Sequence, residues 1–106
     1  MGSSISQEKM AQIEQIVEEI IKTNKIAVFS KSYCPYCTKA KQALTQLGLE
    51  FFHIELDNEG NAIQAYLLAK TGQRTVPNIF INQKHVGGCD DLLRVISSGK
   101  IQELLQ

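Results

Sequence analysis

"KSYCPYCTKAKQALTQLG", residues 31–48, decides the fold, because it joins the end of a strand-like run to the start of a helix-like one. Just before it, Lys25 to Ser30 reads KIAVFS, β-rich and nearly all apolar, the pattern of a strand buried on both faces. Within the stretch, Pro35 suits the first helical position. Cys37, Ala40, Leu44 and Leu47 mark an inner helix face, and Gly48 supplies a C-terminal stop. Cys34 and Cys37 therefore stand one helical turn apart at a strand-to-helix junction. Metal ligands, a structural staple and a redox pair can all have this spacing.

Working outward, Ile13, Ile16, Val17, Ile20 and Ile21 repeat with helical period, so residues near 6–23 form an amphipathic helix, with Ser4 and Gln7 available as a capping box. Downstream, LEFFHIEL alternates Phe52, Ile54 and Leu56 against Phe51, His53 and Glu55, a strand with unlike faces. A third helix is expected from Asn58 to Thr71, closed by Gly72. PNIFINQKHV reads as a hairpin: Ile79–Ile81, a tight turn near Asn82-Gln83, and a return through His85-Val86. Leu92, Leu93 and Ile96 share one face of Asp90–Ser97; after Gly99, Ile101, Leu104 and Leu105 form a last short helix. The order is α, β, α, β, α, β, β, α, α. The β-α-β start demands a parallel pair with a right-handed crossover, and the hairpin adds antiparallel strands. An α/β fold follows, a small mixed four-stranded sheet with helices on both faces. Residues 1–106 make one domain, with 1–24 as an N-terminal helical extension and 25–106 as the core.

A chain of 106 residues that is 43% apolar can bury a core without staples. Eleven basic side chains against eleven acidic ones leave no global field, so neither nucleic acid nor an anionic membrane is an expected partner. No apolar run is long enough to span a bilayer. Three cysteines, two of them in one short motif, make a poor disulfide framework and fit a reducing, cytoplasmic compartment. MGSSIS matches the loose N-myristoylation pattern at Gly2 and Ser6, but so short a pattern reads more plainly as a serine-rich lead-in or a cloning remnant.

With Cys34 at the N-cap and Pro35 following it, the free donors nearest the sulfur are the N–H groups of Tyr36 and Cys37. Those donors, the positive end of the helix dipole and the Lys31 ammonium all favour a thiolate at Cys34. Cys37 falls on the apolar stripe, so Cys34 is the attacking sulfur and Cys37 the sheltered, resolving one. A thiol of pKa about 8.5 is only ~3% ionised at neutral pH, so complete ionisation gains roughly thirtyfold in thiolate. A Brønsted slope of ~0.4–0.5 removes about as much nucleophilicity. The benefit lies in the reverse role, with Cys34 as leaving group from a mixed disulfide. A zinc site would need two more ligands from Cys89, His53 and His85, which form no second local pair, so no metal is expected. A staple across so small a loop gains little.

Lys31 with Cys34-Pro35-Tyr36-Cys37, then TGQRTVP (Thr71–Pro77), then GGCDD (Gly87–Asp91), in that order, resembles the dithiol glutaredoxins of the thioredoxin-fold superfamily from about Ile26 to Leu105. The resemblance implies a glutathione-dependent thiol–disulfide oxidoreductase acting on protein–glutathione mixed disulfides and protein disulfides. Glutathione would be its co-substrate, with no tightly bound cofactor, and the protein a monomer. It further implies a glutathione site in which Lys31 and Gln64, with Arg74, meet the glycyl carboxylate, and Tyr36 walls the groove. Thr75 and Val76 would lie along the tripeptide, Val76 offering its backbone beside a cis Pro77. Gly87 and Gly88 would let a ligand approach, and the helix opening at Cys89-Asp90 would meet the γ-glutamyl carboxylate. Asp90 or Asp91 would meet the ammonium or cap that helix. Tyr33 is expected only to shield the nucleophile. Cys89, at a helix N-terminus, is expected to have a lowered pKa and no catalytic role. Some members of the family instead form dimers around a glutathione-ligated [2Fe–2S] cluster; Pro35, which stiffens the turn after Cys34, argues against that alternative.

Overall fold

Strand β1 (Ile26–Ser30) is buried at all five positions, and an apolar strand with no exposed face must lie between two layers. Around it, a computed structural model describes residues 6–57 and 61–106 and contains the elements in the expected order. They are α1 (Gln7–Thr23), β1, α2 (Pro35–Gln46), β2 (Phe52–Glu55), α3 (Asn61–Thr71), β3 (Asn78–Ile81), β4 (Lys84–Gly87), α4 (Cys89–Ser97) and α5 (Lys100–Leu104). The sheet runs β2-β1-β3-β4. β1 is parallel to β2, with Ser30 opposite Glu55, and antiparallel to β3, which pairs antiparallel with β4.

Alternate residues of β1 feed two cores. Ile26 and Val28 pack with Ala40 and Leu44 of α2, Leu92 of α4 and Ile101 of α5. Ala27 and Phe29 face the other way, onto Val17 and Ile21 of α1 and Leu67 of α3. The hairpin turn places Asn82 at φ 54° and Gln83 at φ 72°, the paired left-handed conformation whose twist suits a two-residue loop. The Asn82 amide also donates to the Leu104 and Gln106 carbonyls at 3.1 and 2.8 Å, tying the turn to the C-terminus. Among the described residues, no helix is long and apolar enough to cross a membrane.

Several local expectations change. Ser6, not Ser4, caps α1, its hydroxyl accepting the Lys9 N–H at 3.1 Å; Gly2 and Ser4 lie outside the described residues, as do the positions 58–60 where the third helix was expected to begin. Leu47 is 46% exposed, because α2 ends at Gln46 and Leu47 is its C-cap, turned away from the sheet. Ile16 is 47% exposed on the flank of α1, which buries Val17 and Ile21. An apolar stripe on a helix can be wider than the surface that covers it.

The contrast at α2 is measurable. Leu44→Ala, which empties a fully buried site, is expected to cost about 2–5 kcal/mol in denaturant unfolding, whereas Leu47→Ala should stay within about 0.5 kcal/mol. Equal losses at the two positions would contradict the assigned helix end.

Candidate active site

The last buried residue of β1, Ser30, is followed by a short turn in which the Cys34 N–H donates to the Lys31 carbonyl at 3.2 Å. Asp57, just beyond β2, anchors this turn by accepting the Ser32 N–H at 2.9 Å and a second bond from the Ser32 hydroxyl. α2 then starts with Cys34 as N-cap and Pro35 in the first turn. Of the two donors expected for the Cys34 sulfur, the Cys37 N–H makes the bond, at 3.4 Å. Cys34 Sγ also stands 3.7 Å from the Val76 carbonyl oxygen, so the turn and the loop before β3 meet at this sulfur. The Lys31 ammonium lies 5.9 Å over the Tyr33 ring, a cation–π arrangement.

Cys37 is fully buried and receives the Lys31 N–H at 3.5 Å. Burial pushes its thiol above the ordinary value; the Lys31 N–H and the Ser30 hydroxyl pull the other way, and the Cys34 sulfur adds to the rise. Cys34 is partly exposed and Cys37 sheltered, as expected from the apolar stripe, and all three cysteines are free thiols. Cys89 departs from expectation. It opens α4, but it is 4% exposed: burial raises its pKa, the charge of Lys39 opposes the rise, and Asp90 and the Cys34 sulfur add to it.

Beside Cys34 lies an open groove of about 470 Å³, lined by Tyr36, Thr75, Val76, Pro77, Gly88, Cys89 and Asp90, and also by Gln73 and Asp91. All of these except Gln73 are residues that the sequence pointed to. The Val76–Pro77 bond is cis, as expected. Gly87, at φ +123°, has no room for a Cβ against the Asp91 carboxylate, so its constraint is internal; a Cβ at Gly88 would meet only the Pro77 carbonyl at 3.6 Å. Asp91, not Asp90, caps α4, its Oδ2 accepting the Gly88 N–H at 2.9 Å, and this leaves Asp90 exposed at the groove. Lys31, Gln64 and Arg74 are not among the lining residues; Gln64 instead donates to the Arg74 carbonyl at 3.1 Å.

Gln73 was missed. Its amide donates to the carbonyls of Thr75 and Pro77, both at 2.9 Å, gripping the chain on either side of Val76. His85 Nε2 bridges Gln73 Oε1 at 3.2 Å and the Asn78 side-chain oxygen at 2.9 Å, and its ring packs on Phe80. The brace links β4 to the groove, a contact that local sequence patterns do not encode.

The Glutaredoxin family model matches residues 26–86. Glutaredoxin-1 of Rhizophagus irregularis is 51% identical over 98 residues, covering 91% of this chain and 97% of its own. Glutaredoxin-C1 of Arabidopsis thaliana is 44% identical over 106 residues, covering 98% of this chain and 85% of its own. Among solved structures, the crystal structure of a buckwheat glutaredoxin–glutathione complex matches with a TM-score of 0.90 at 45% identity, over 95% of this chain and 94% of that one.

Burial lowers the His85 pKa from 6.5, and nearby Asp91 only partly opposes it. As pH falls, the unfolded chain takes up this proton first, so the contribution of His85 to stability is whole above 6.5 and is lost as pH drops through the folded pKa. The thermal midpoint should fall as pH drops below about 6.5. His85→Gln should flatten that segment of the profile. Glu18 and Glu55, both held below 4.5, act in a lower window. An unchanged profile in the variant would remove His85 from the account.

Proposed function

The chain belongs to the glutaredoxin family of thiol–disulfide oxidoreductases, and from that premise we propose that it reduces protein–glutathione mixed disulfides through Cys34 alone and protein disulfides through Cys34 with Cys37. The observation that carries this reading is the Cys34 sulfur at a helix N-cap, bonded to the Cys37 N–H and 3.7 Å from the Val76 carbonyl at the head of an open groove. A helix start concentrates unpaired N–H donors and the positive end of the dipole, and both favour negative charge on that sulfur.

In the monothiol route the Cys34 thiolate attacks the glutathione sulfur of the mixed disulfide; the protein sulfur leaves as a thiolate. A second glutathione thiolate attacks the same glutathione sulfur in the adduct, expelling the Cys34 thiolate and giving oxidised glutathione. In the dithiol route Cys34 attacks a protein disulfide, and Cys37 then closes on the Cys34 sulfur and releases the substrate thiolate. Two glutathiones reopen the Cys34–Cys37 bond. Glutathione as co-substrate is supported by the buckwheat glutaredoxin, solved as a glutathione complex.

The tripeptide would lie along Tyr36, Thr75 and Val76, its cysteine paired with the Val76 backbone as a strand edge pairs with a peptide. Its γ-glutamyl carboxylate would meet the start of α4 at Gly88 and Cys89, with the exposed Asp90 for its ammonium. Lys31, Gln64 and Arg74 would supply the glycyl carboxylate end, the first by swinging off the Tyr33 ring. A cytoplasmic monomer without a resident cofactor completes the reading.

Glutathione-coupled reduction of a small mixed disulfide tests it. Cys34→Ser should lose more than about a thousandfold in this assay and in reduction of a protein disulfide, as expected when a nucleophile is removed. Cys37→Ser should keep the first activity and lose the second. Loss of both in Cys37→Ser would overturn the division of roles.

A further inference from the structure

Two devices hold the backbone of Val76 in place. Its side chain packs against the core formed by Ala27, Phe29, Leu67 and Phe80. Its flanks are held by a single amide: Gln73 Nε2 donates to the Thr75 and Pro77 carbonyls, each at 2.9 Å. Between those carbonyls, and among the described residues, the Val76 N–H makes no hydrogen bond, while its own carbonyl stands 3.7 Å from the Cys34 sulfur.

Gln73 lines the groove, yet its polar atoms are engaged inside the protein. A primary amide has two donor hydrogens, and the two carbonyls take both. Facing two acceptors also fixes which end of the amide is nitrogen. Oε1 therefore meets His85 Nε2 at 3.2 Å, and that ring nitrogen carries a hydrogen. Asn78 Oδ1, 2.9 Å from the same nitrogen, accepts from it as well. At its other end Gln73 donates its backbone N–H to the Thr71 hydroxyl at 3.1 Å, and that hydroxyl donates to the Leu67 carbonyl of α3 at 2.8 Å. Gln73 is fixed from both sides and has no amide hydrogen left for a ligand.

We propose that Gln73 is a positioning residue for glutathione, clamping the chain around Val76 in its binding shape, and that His85, which does not line the groove, acts on glutathione through Gln73. The clamp rests on the reading above of the Val76 backbone as the tripeptide's partner and adds what holds that backbone ready. Its physical effect is preorganisation: with the clamp, the loop is ordered during folding, and without it the ordering falls on binding. Fixing the backbone of one residue corresponds to about a tenfold change in affinity. The rival positioner is core packing of the Val76 side chain, which would act with or without Gln73.

The test compares wild type, Gln73→Met, His85→Ala and the double variant. It measures KM and kcat for the mixed disulfide of glutathione with a small thiol, and the rate of Cys34 alkylation by iodoacetamide. Methionine keeps the length of Gln73 and removes both donors. Gln73→Met should raise KM about tenfold with kcat held within about twofold, as when binding is lost equally from ground and transition states. His85→Ala should raise KM about threefold alone and add nothing in the Gln73→Met background. Alkylation, which needs no groove, should stay within about twofold throughout. Thermal unfolding shows that each variant is folded at the assay temperature.

An unchanged KM in Gln73→Met overturns the clamp and gives the role to core packing. Multiplying effects of the two substitutions overturn the path from His85 through Gln73. Alkylation that falls in step with kcat/KM overturns the proposal too, because the sulfur and not the groove then carries the loss. Should wild type leave the mixed disulfide unreduced, the catalytic reading fails, and glutathione binding followed by NMR in a Cys34→Ser background still decides the clamp. There Gln73→Met should need about tenfold more glutathione for half-saturation, and equal half-saturation overturns it.

Discussion

A sulfur occupies the N-cap of α2, and the Cys37 N–H that a helix start would otherwise leave unpaired is donated to it. That bond fixes two things together. It gives the Cys34 sulfur a donor of the kind that steadies negative charge, and it sets Cys37 one turn along, on the face that packs against β1. The proline between them suits both needs, because the first helical N–H has no partner to lose. The buried β1, paired on both sides, anchors the junction: it ends at the buried Ser30, and the turn that carries Cys34 follows directly.

The rest of the site converges on this junction from chain segments far away in sequence. Asp57 anchors the turn through Ser32; Val76 brings its carbonyl to the Cys34 sulfur; Gly88 and Cys89 open α4 across the groove. Each arrives through a different structural device. β2 lies parallel to β1, so the residue just after it lands beside the residue just after β1. Gln73 grips the carbonyls around Val76, and His85 holds Gln73 from the opposite strand of the hairpin. The groove is therefore built from the loop before β3 and the starts of α2 and α4, and that loop is tied to β4 through Gln73 and His85.

Residues whose role is local were legible in the sequence. Pro35 after Cys34, the strand at Phe52–Glu55, the Asn82-Gln83 turn and the apolar run of β1 each depend on neighbours within one turn or one strand, whereas Phe52, in phase with Ile54 and Leu56, is nonetheless 38% exposed. What escaped depends on burial or register. Leu47 fits the helical period but lies beyond the last helical residue, where nothing covers it. Cys89 sits at a helix start, yet burial, with the neighbouring Asp90 and Cys34, raises its pKa, and burial is not legible from local sequence. Gln73 looks like any loop glutamine until the hairpin brings His85 alongside. The Ser30–Glu55 pair, 25 positions apart, exists only because β1 and β2 run parallel in one particular register.

The two sulfurs of the junction differ in burial although they stand one turn apart. The helix end acts on both, and geometry alone would make them similar. Burial separates them, since Cys37 is fully buried on the inner face of α2 while Cys34, at its N-cap, is partly exposed. Burial acts to keep the Cys37 thiol protonated, and the Lys31 N–H, donated to its sulfur at 3.5 Å, acts the other way. The turn that follows β1 therefore supplies a backbone donor to the buried sulfur, as the start of α2 supplies one to the partly exposed sulfur.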